Sequence, residues 1–313
     1  MISSLVSLEP SPQCPSIHSA PRATVTFERA YDDAMPTETI TIGQFELTSI
    51  PVQPESLRPT PQFFPSADLT ALETVRAELP AMFGSSVDEL RFGQSLCVLR
   101  DSSGVTMVDA GLPATPEGWP LMSGLTELGI APDQVTRVFI THRDADHIGG
   151  LVDISGAITF SKAQHFIGSL EYTHFKQDER MREWFTKCLA PLEQAGLLTV
   201  IEAQPLEGIA AAPEFAPGLK AVATPGHRSG ATSLLASNAA LLTADVLHAA
   251  FQVTHPEVSI MFDADSTLAA LTRAAVMKAA AAHGWVLHVP HLPPFGLGRV
   301  MRDAAGRSSW QQV

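Results

Sequence analysis

The chain has 313 residues, 45% hydrophobic and 17% charged, with a formal net charge of −13 at pH 7. That length supports one large or two small domains with a full core. The acidic balance argues against a nucleic-acid backbone or an anionic membrane as partner, since both need a basic footprint, and it disfavours a polyanionic substrate unless bound metal reverses the local field. Three cysteines, Cys14, Cys97 and Cys188, lie far apart with no CxxC spacing, so neither a structural zinc site nor a disulfide framework is indicated. No apolar run reaches the length of a membrane span, and the first seven residues lack the basic and apolar segments of a secretion signal. The expected compartment is the cytoplasm.

Residues 1–38 are rich in Ser, Pro and Thr and show no sustained period. They are expected to be a partly irregular amino-terminal extension, with an arm that reaches a second subunit of a homodimer as one possible role. Residues 39–50 alternate like two strands that turn at Gly43. Prolines at 51, 54, 59, 61 and 65, with Phe63 and Phe64 among them, predict a stiff loop without regular structure. That loop would either roof a site with an aromatic wall or tuck its phenylalanines into the core. Residues 68–79 have a helical period, with Ser66 or Asp68 as cap and Pro80 as stop. A hairpin is expected over 96–108, turning at 101–104 and ending on Asp109. A helix near 120–128 and a strand over 135–141 follow. Residues 164–171 read as a strand leading into a helix over 172–185; His165 and His174 beside it are assigned no chemistry.

The second half repeats that order. A hairpin over 232–243 turns at Ser237 and Asn238 and ends on Asp245. An Ala-rich helix over 265–282, capped by Asp265 or Ser266 and stopped near Gly284, leads to a strand over 285–289 and then to His291. Hairpin, acid, helix, strand, histidine thus occurs twice. The expected fold is α/β, two face-to-face β-sheets with helices outside, an αββα four-layer sandwich of two pseudo-symmetric halves. A site at the shared strand ends would collect side chains from both halves.

The stretch His142-x-Asp144-x-Asp146-His147-x-Gly149-Gly150 is where the apolar strand delivers its chemistry. Four metal-capable side chains within six residues repel one another, or sit desolvated, unless something positive joins them. One or two divalent cations resolve that conflict with imidazole nitrogen and carboxylate oxygen. The bland alternative is a solvated acidic turn with stray histidines.

This stretch resembles the metal signature of the metallo-β-lactamase fold, usually His-x-His-x-Asp-His. Residues 223–227 ending on His227, with Gly230 and Ser233 after them, resemble a further motif of that family. So do residues 241–245 ending on Asp245, residues 291–298 opening on His291, and the strand 105–111 that carries Asp109. Residues 245–248, 255–258, 262–265 and 291–293 bring the tail half close to the methyl-parathion-hydrolase-like and lactonase-like branch. The resemblance implies that residues 39–313 are a catalytic domain holding two divalent metal ions. One ion would take His142, Asp144 and His227, the other Asp146, His147 and His291, with Asp245 bridging. A hydroxide between them would be the nucleophile, with Asp146 and Asp245 the catalytic carboxylates.

The departure at Asp144 matters, because the family usually has histidine there. An anionic oxygen replaces a neutral nitrogen and lowers the formal charge of the core from about +1 to about 0. The harder donor set favours Mn²⁺, Fe²⁺ or mixed metal over two Zn²⁺. Three readings follow: a two-metal hydrolase with unusual metals, a one-metal enzyme using the second site, or a degenerate homologue. His288 competes with His291 as the last ligand but lies inside its strand, so His291 is preferred. Asp109 is expected to orient a ligand histidine, and His248, three residues after Asp245, to stand behind the ligands or face substrate, with a half-buried packing histidine as the alternative. Phe251, Phe262 and Phe295 suggest an apolar acyl or aryl pocket. Arg143 and Arg228 each follow a ligand histidine; solvation is the expectation for both, contact with an anionic substrate group the alternative. The expected activity is hydrolysis of an ester-type bond in a lactone such as an acyl-homoserine lactone, an aryl ester or a phosphotriester. The rival is a di-iron oxidoreductase of the same fold, whose members carry a carboxylate at the position of Asp144.

Overall fold

Two mixed sheets face each other and helices cover their outer sides. The structure, a computed structural model, describes residues 37–116 and 118–313. The first sheet runs β1 (Glu38–Ile42), β2 (Phe45–Pro59), β3 (Glu89–Asp101), β4 (Gly104–Val108), β5 (Val135–Ile140), β6 (Gln164–Gly168) and β7 (Leu198–Ile201), side by side in chain order. The second contains β8 (Leu219–Ala223), β9 (Thr232–Ala236), β10 (Ala240–Leu242), β11 (Val286–His288), β12 (Leu297–Arg302) and β13 (Ser308–Gln312), again in order. Helices α1 (Thr60–Phe63), α2 (Leu69–Glu78), α3 (Pro120–Glu127), α4 (Ala145–Ile148), α5 (Ser169–Gln177), α6 (Arg182–Trp184), α7 (Ala190–Gln194) and α8 (Ser266–His283) complete the fold.

The repeat expected from the pattern is present in the pairing. β3 and β4 form an antiparallel hairpin, and β5 then returns parallel to β4 after α3. β9 and β10 form the matching hairpin, with β11 parallel to β10 after α8. Asp68 caps α2 by accepting from the amides of Thr70 and Ala71, and Asp265 caps α8 by accepting from Leu268. Gly284, at φ +65°, ends α8 in the left-handed conformation that glycine adopts without penalty.

Strand alternation explains the layering. On β5, Phe139 points between the sheets toward Leu47, Leu99, Leu234 and Leu242, while Val138 and Ile140 point to the helix layer with Leu125, Phe175 and Leu192. A second outer layer packs α2 and α8 on the other sheet through Leu72, Val276 and Met277. Phe139 is fully buried, so Phe139→Ala would cost about 3–5 kcal/mol.

Three expectations are corrected. The proline-rich stretch is not a loop: β2 continues to Pro59 beside β3, and the chain then turns through α1. Its pairing with β1 ends at Ser49, and register shifts at Pro51/Gln53 and Gln53/Ser56 absorb the missing amide donors. The helix expected over 172–185 breaks at Asp178, whose carboxylate accepts from the Arg180 amide and restarts the chain as a new turn. The strand before it ends at Gly168 rather than 171. The extension expected over 1–38 lies outside the described residues as far as residue 36, and Glu38 already opens β1. Among the described residues, no helix is long and apolar enough to cross a membrane.

Candidate metal centre

The carboxyl-terminal strand ends of both halves open on one place. β5 leads directly to His142, and the single turn α4 carries Asp146 and His147. From the other sheet, the β8–β9 loop brings His227, the turn after β10 brings Asp245, and the segment after β11 brings His291. His142, His147, His227, Asp245 and His291 are each at most 5% exposed. Close backbone approaches make this possible. A Cβ on Gly150 would lie 2.1 Å from the Ala110 carbonyl oxygen, and one on Gly226 would meet the Ala269 backbone at 2.3 Å. Asp109 (φ +61°) and Ala244 (φ +49°) hold left-handed backbone where the two matching strands end. Such conformations cost about 1–3 kcal/mol each and collect at functional sites.

Asp245 lies at the middle of the cluster. Its Oδ1 is 3.3 Å from His147 Nε2, and its Oδ2 is 3.3 Å from His227 Nε2, 3.5 Å from His291 Nε2 and 3.7 Å from His142 Nε2. Asp144 Oδ2 approaches His227 Nε2 at 3.3 Å and His142 Nε2 at 3.7 Å; Asp146 Oδ2 approaches His291 Nε2 at 3.5 Å and His147 Nε2 at 3.8 Å. Each imidazole is oriented through its other nitrogen. His147 Nδ1 meets Asp109 Oδ2 at 2.7 Å, His142 Nδ1 meets Thr141 Oγ1 at 3.0 Å, His227 Nδ1 meets Asp263 Oδ1 at 3.0 Å, and His291 Nδ1 meets the Gly93 carbonyl at 3.0 Å. Asp109 also accepts from the Thr141 amide and hydroxyl. All four Nε2 atoms are left facing the acids, the arrangement that metal-ligating histidines show.

The donor chemistry fits divalent cations. His142 Nε2, His147 Nε2 and Asp245 Oδ1 are buried and have no hydrogen-bond partner, a costly condition that a cation relieves. His142, Asp144 and His227 form one three-donor group and Asp146, His147 and His291 another; Asp245 groups with His142 and His147, and with His227 and His248. Burial opposes charge on His147, but Asp245, Asp146 and Asp109 outweigh it and hold its pKa well above the ordinary value. Burial likewise opposes charge on His227, yet bonds to Asp144 and Asp263 raise its pKa to about 9. Burial would raise the pKa of Asp144 and Asp245, but the surrounding imidazoles hold both well below the carboxylate range.

The remaining expected residues divide. His248 is buried, its Nε2 3.1 Å from Asp245 Oδ2, and burial lowers its pKa to about 4. His288 packs inside the fold against Ser95 Oγ at 3.0 Å, and burial lowers its pKa to about 3. Phe262 lines a cavity of about 250 Å³ together with Phe92, Arg228, His248 and the acids. Phe251 does not: it is buried in the core, edge-on to Phe64 at 4.9 Å, because its short helical turn points inward. Phe295 packs with the inter-sheet cluster and also misses the cavity. Neither arginine is solvated. Arg143 is buried and donates to both oxygens of Glu171 at 3.0 Å, and Arg228 turns onto Asp144.

Several residues escaped the sequence reading. Phe92 stacks on His291 at 4.6 Å, and Gln94 donates to the Asp146 carbonyl at 2.7 Å. Both precede the hairpin in a stretch without motif character. Asp263 was legible only as part of 262–265; its place between His227 and the fully buried Arg273 depends on a contact across a loop.

The model of the metallo-beta-lactamase superfamily matches residues 90–283, more than half of the chain. The chain belongs to the metallo-beta-lactamase superfamily. His291 lies beyond the matched span and reaches the centre through β11. A search of curated protein sequences gives no match. Solved structures share the superfamily fold. AbOPH, described as a hydrolase in the beta lactamase superfamily, aligns with a TM-score of 0.75 at 18% identity, over 88% of this chain and 97% of its own. AidC, described as a dizinc quorum-quenching lactonase, aligns at 0.72 and 19% identity, over 90% and 99%. A quorum-quenching N-acyl homoserine lactone lactonase aligns at 0.55 and 19%, over 83% and 94%. By membership, the chain is a metal-dependent hydrolase of this superfamily.

Proposed function

We propose that this hydrolase cleaves an ester-type bond in a small molecule with an apolar acyl or aryl part: a lactone, an aryl ester or a phosphotriester. One observation carries the reading. Four imidazole Nε2 atoms and three carboxylates converge, several of them unpartnered, and His227, His291 and the three carboxylates line a cavity with Phe92 and Phe262 in its wall. The lactonases among the structural neighbours support the lactone member of that class.

His142, His147, His227, His291, Asp144, Asp146 and Asp245 are the residues to hold divalent cations, which when bound acidify water and polarise a carbonyl or phosphoryl oxygen. Asp146, the most open of the three acids at 31% side-chain exposure, is placed to take a proton from attacking water. Asp245 ties both halves of the cluster together, and a neutral His248 donates Nε2–H to its Oδ2. The cavity admits the reacting head of a substrate, while an apolar tail runs out along Phe262, which is 46% exposed. The di-iron alternative leans on the carboxylate at position 144, and elemental analysis with a visible spectrum separates it from the hydrolase, because a redox di-iron centre colours the protein.

The test is a hydrolysis panel with Zn²⁺ or Mn²⁺ added: an acyl-homoserine lactone, a p-nitrophenyl ester and a phosphotriester. Turnover of one class that disappears with chelator and returns with metal is expected. Turnover indifferent to chelation, or none across the panel, contradicts the proposal.

A further inference from the structure

Arg228 is built into the first half of the cluster. Its Nε donates to Asp144 Oδ1 at 2.6 Å and its Nη2 to Asp144 Oδ2 at 2.5 Å, while Nη1 donates to the carbonyls of His227 and Phe262 at 2.7 Å each. Four of the five guanidinium N–H groups are thereby committed. The pair is largely sheltered, with about a fifth of each side chain exposed. A guanidinium held this way is a fixed part of the site and has little left to offer a substrate.

The same Asp144 Oδ2 is the atom that completes the donor group with His142 and His227. A dication there would share one carboxylate oxygen with a guanidinium. The two positive charges would then lie within about 5 Å of each other in a sheltered site, where repulsion is poorly screened. Arginine cannot lose its proton to relieve that conflict. Among the described residues, the second half has no such cation. Asp146, His147 and His291 are surrounded by the Gln94 amide, the Gly93 carbonyl, the Phe92 ring and the Asp109 carboxylate.

We propose that Arg228 is the resident cation of the first position, so that the centre holds one divalent ion tightly, at Asp146, His147, His291 and Asp245. A second ion binds far more weakly. This inference rests on the reading of the cluster as a metal centre.

Metal-free full-length protein would be titrated with Zn²⁺ against a chromophoric chelator, with elemental analysis after gel filtration and folding checked by circular dichroism. The wild type should retain one equivalent per chain. Arg228→Met should retain two, with the second equivalent bound on the order of 100-fold more tightly than in the wild type. Arg228→Lys, which keeps the charge, should stay at one. Arg228→Gln, whose amide can still donate to the same carbonyls, carries the same expectation as methionine should that variant not fold. Two tight equivalents in the wild type, or one in the folded neutral variants, overturn the inference alone. None in the wild type overturns the metal centre and the inference with it.

Discussion

The two halves of the cluster are built on matching strand ends, yet they solve the charge problem differently. At Asp146, His147 and His291 the acids outnumber any resident positive charge, and the orienting contacts come from Asp109, a backbone carbonyl and an aromatic ring. At His142, Asp144 and His227 the protein supplies its own cation, held by four hydrogen bonds. A repeated scaffold therefore fixes where donors converge, while one arginine next to a ligand histidine alters what that place can bind. Asp245 belongs to both halves and couples them.

Four substitutions probe that contrast. Asp245→Ala removes the shared carboxylate and should have the largest effect, with loss of retained metal and a fall in kcat/KM on the order of 10³-fold or more. Elemental analysis and steady-state rates check it; retained metal with near-normal rates would break the coupling of the halves. Asp109→Asn and Asp263→Asn make a matched pair, since each acid orients one histidine. Asp109→Asn should weaken the tightly held metal by about 10–100-fold. Asp263→Asn should leave that metal in place while lowering stability by roughly 3 kcal/mol, because buried Arg273 loses its charge partner. Chelator competition and thermal melts separate the two, and equal metal loss in both would erase the contrast. Phe262→Ala should have the smallest effect, a rise in KM of about 5-fold for long-chain or aryl substrates with kcat little changed, from the loss of roughly 1 kcal/mol of apolar contact.

Much of this was legible in the sequence because periodicity and local spacing carry it. The twofold order of hairpin, acid, helix, strand and histidine predicted both sheets, and the caps Asp68 and Asp265 marked their helices. His142, Asp144, Asp146 and His147 could be read as a group because six residues hold them all. What escaped depends on contacts between distant segments. Nothing local says that Arg228 bends onto Asp144, 84 residues earlier, or that Asp263 stands between His227 and Arg273. The prolines of β2 misled for a related reason: proline forbids a ladder bond only where a neighbour needs one, and the bulges there remove the need. Phe251 shows the same limit, since proximity in sequence to Asp245 does not say which way a ring turns.

The most direct test is anomalous diffraction from crystals saturated with Zn²⁺ or Mn²⁺, with data on both sides of the metal's absorption edge. The account predicts a strong anomalous peak about 2.0–2.3 Å from His147 Nε2, His291 Nε2 and the carboxylates of Asp146 and Asp245. Metal-saturated crystals with no anomalous peak among these residues, their imidazoles bonded only to water and to one another, would contradict it.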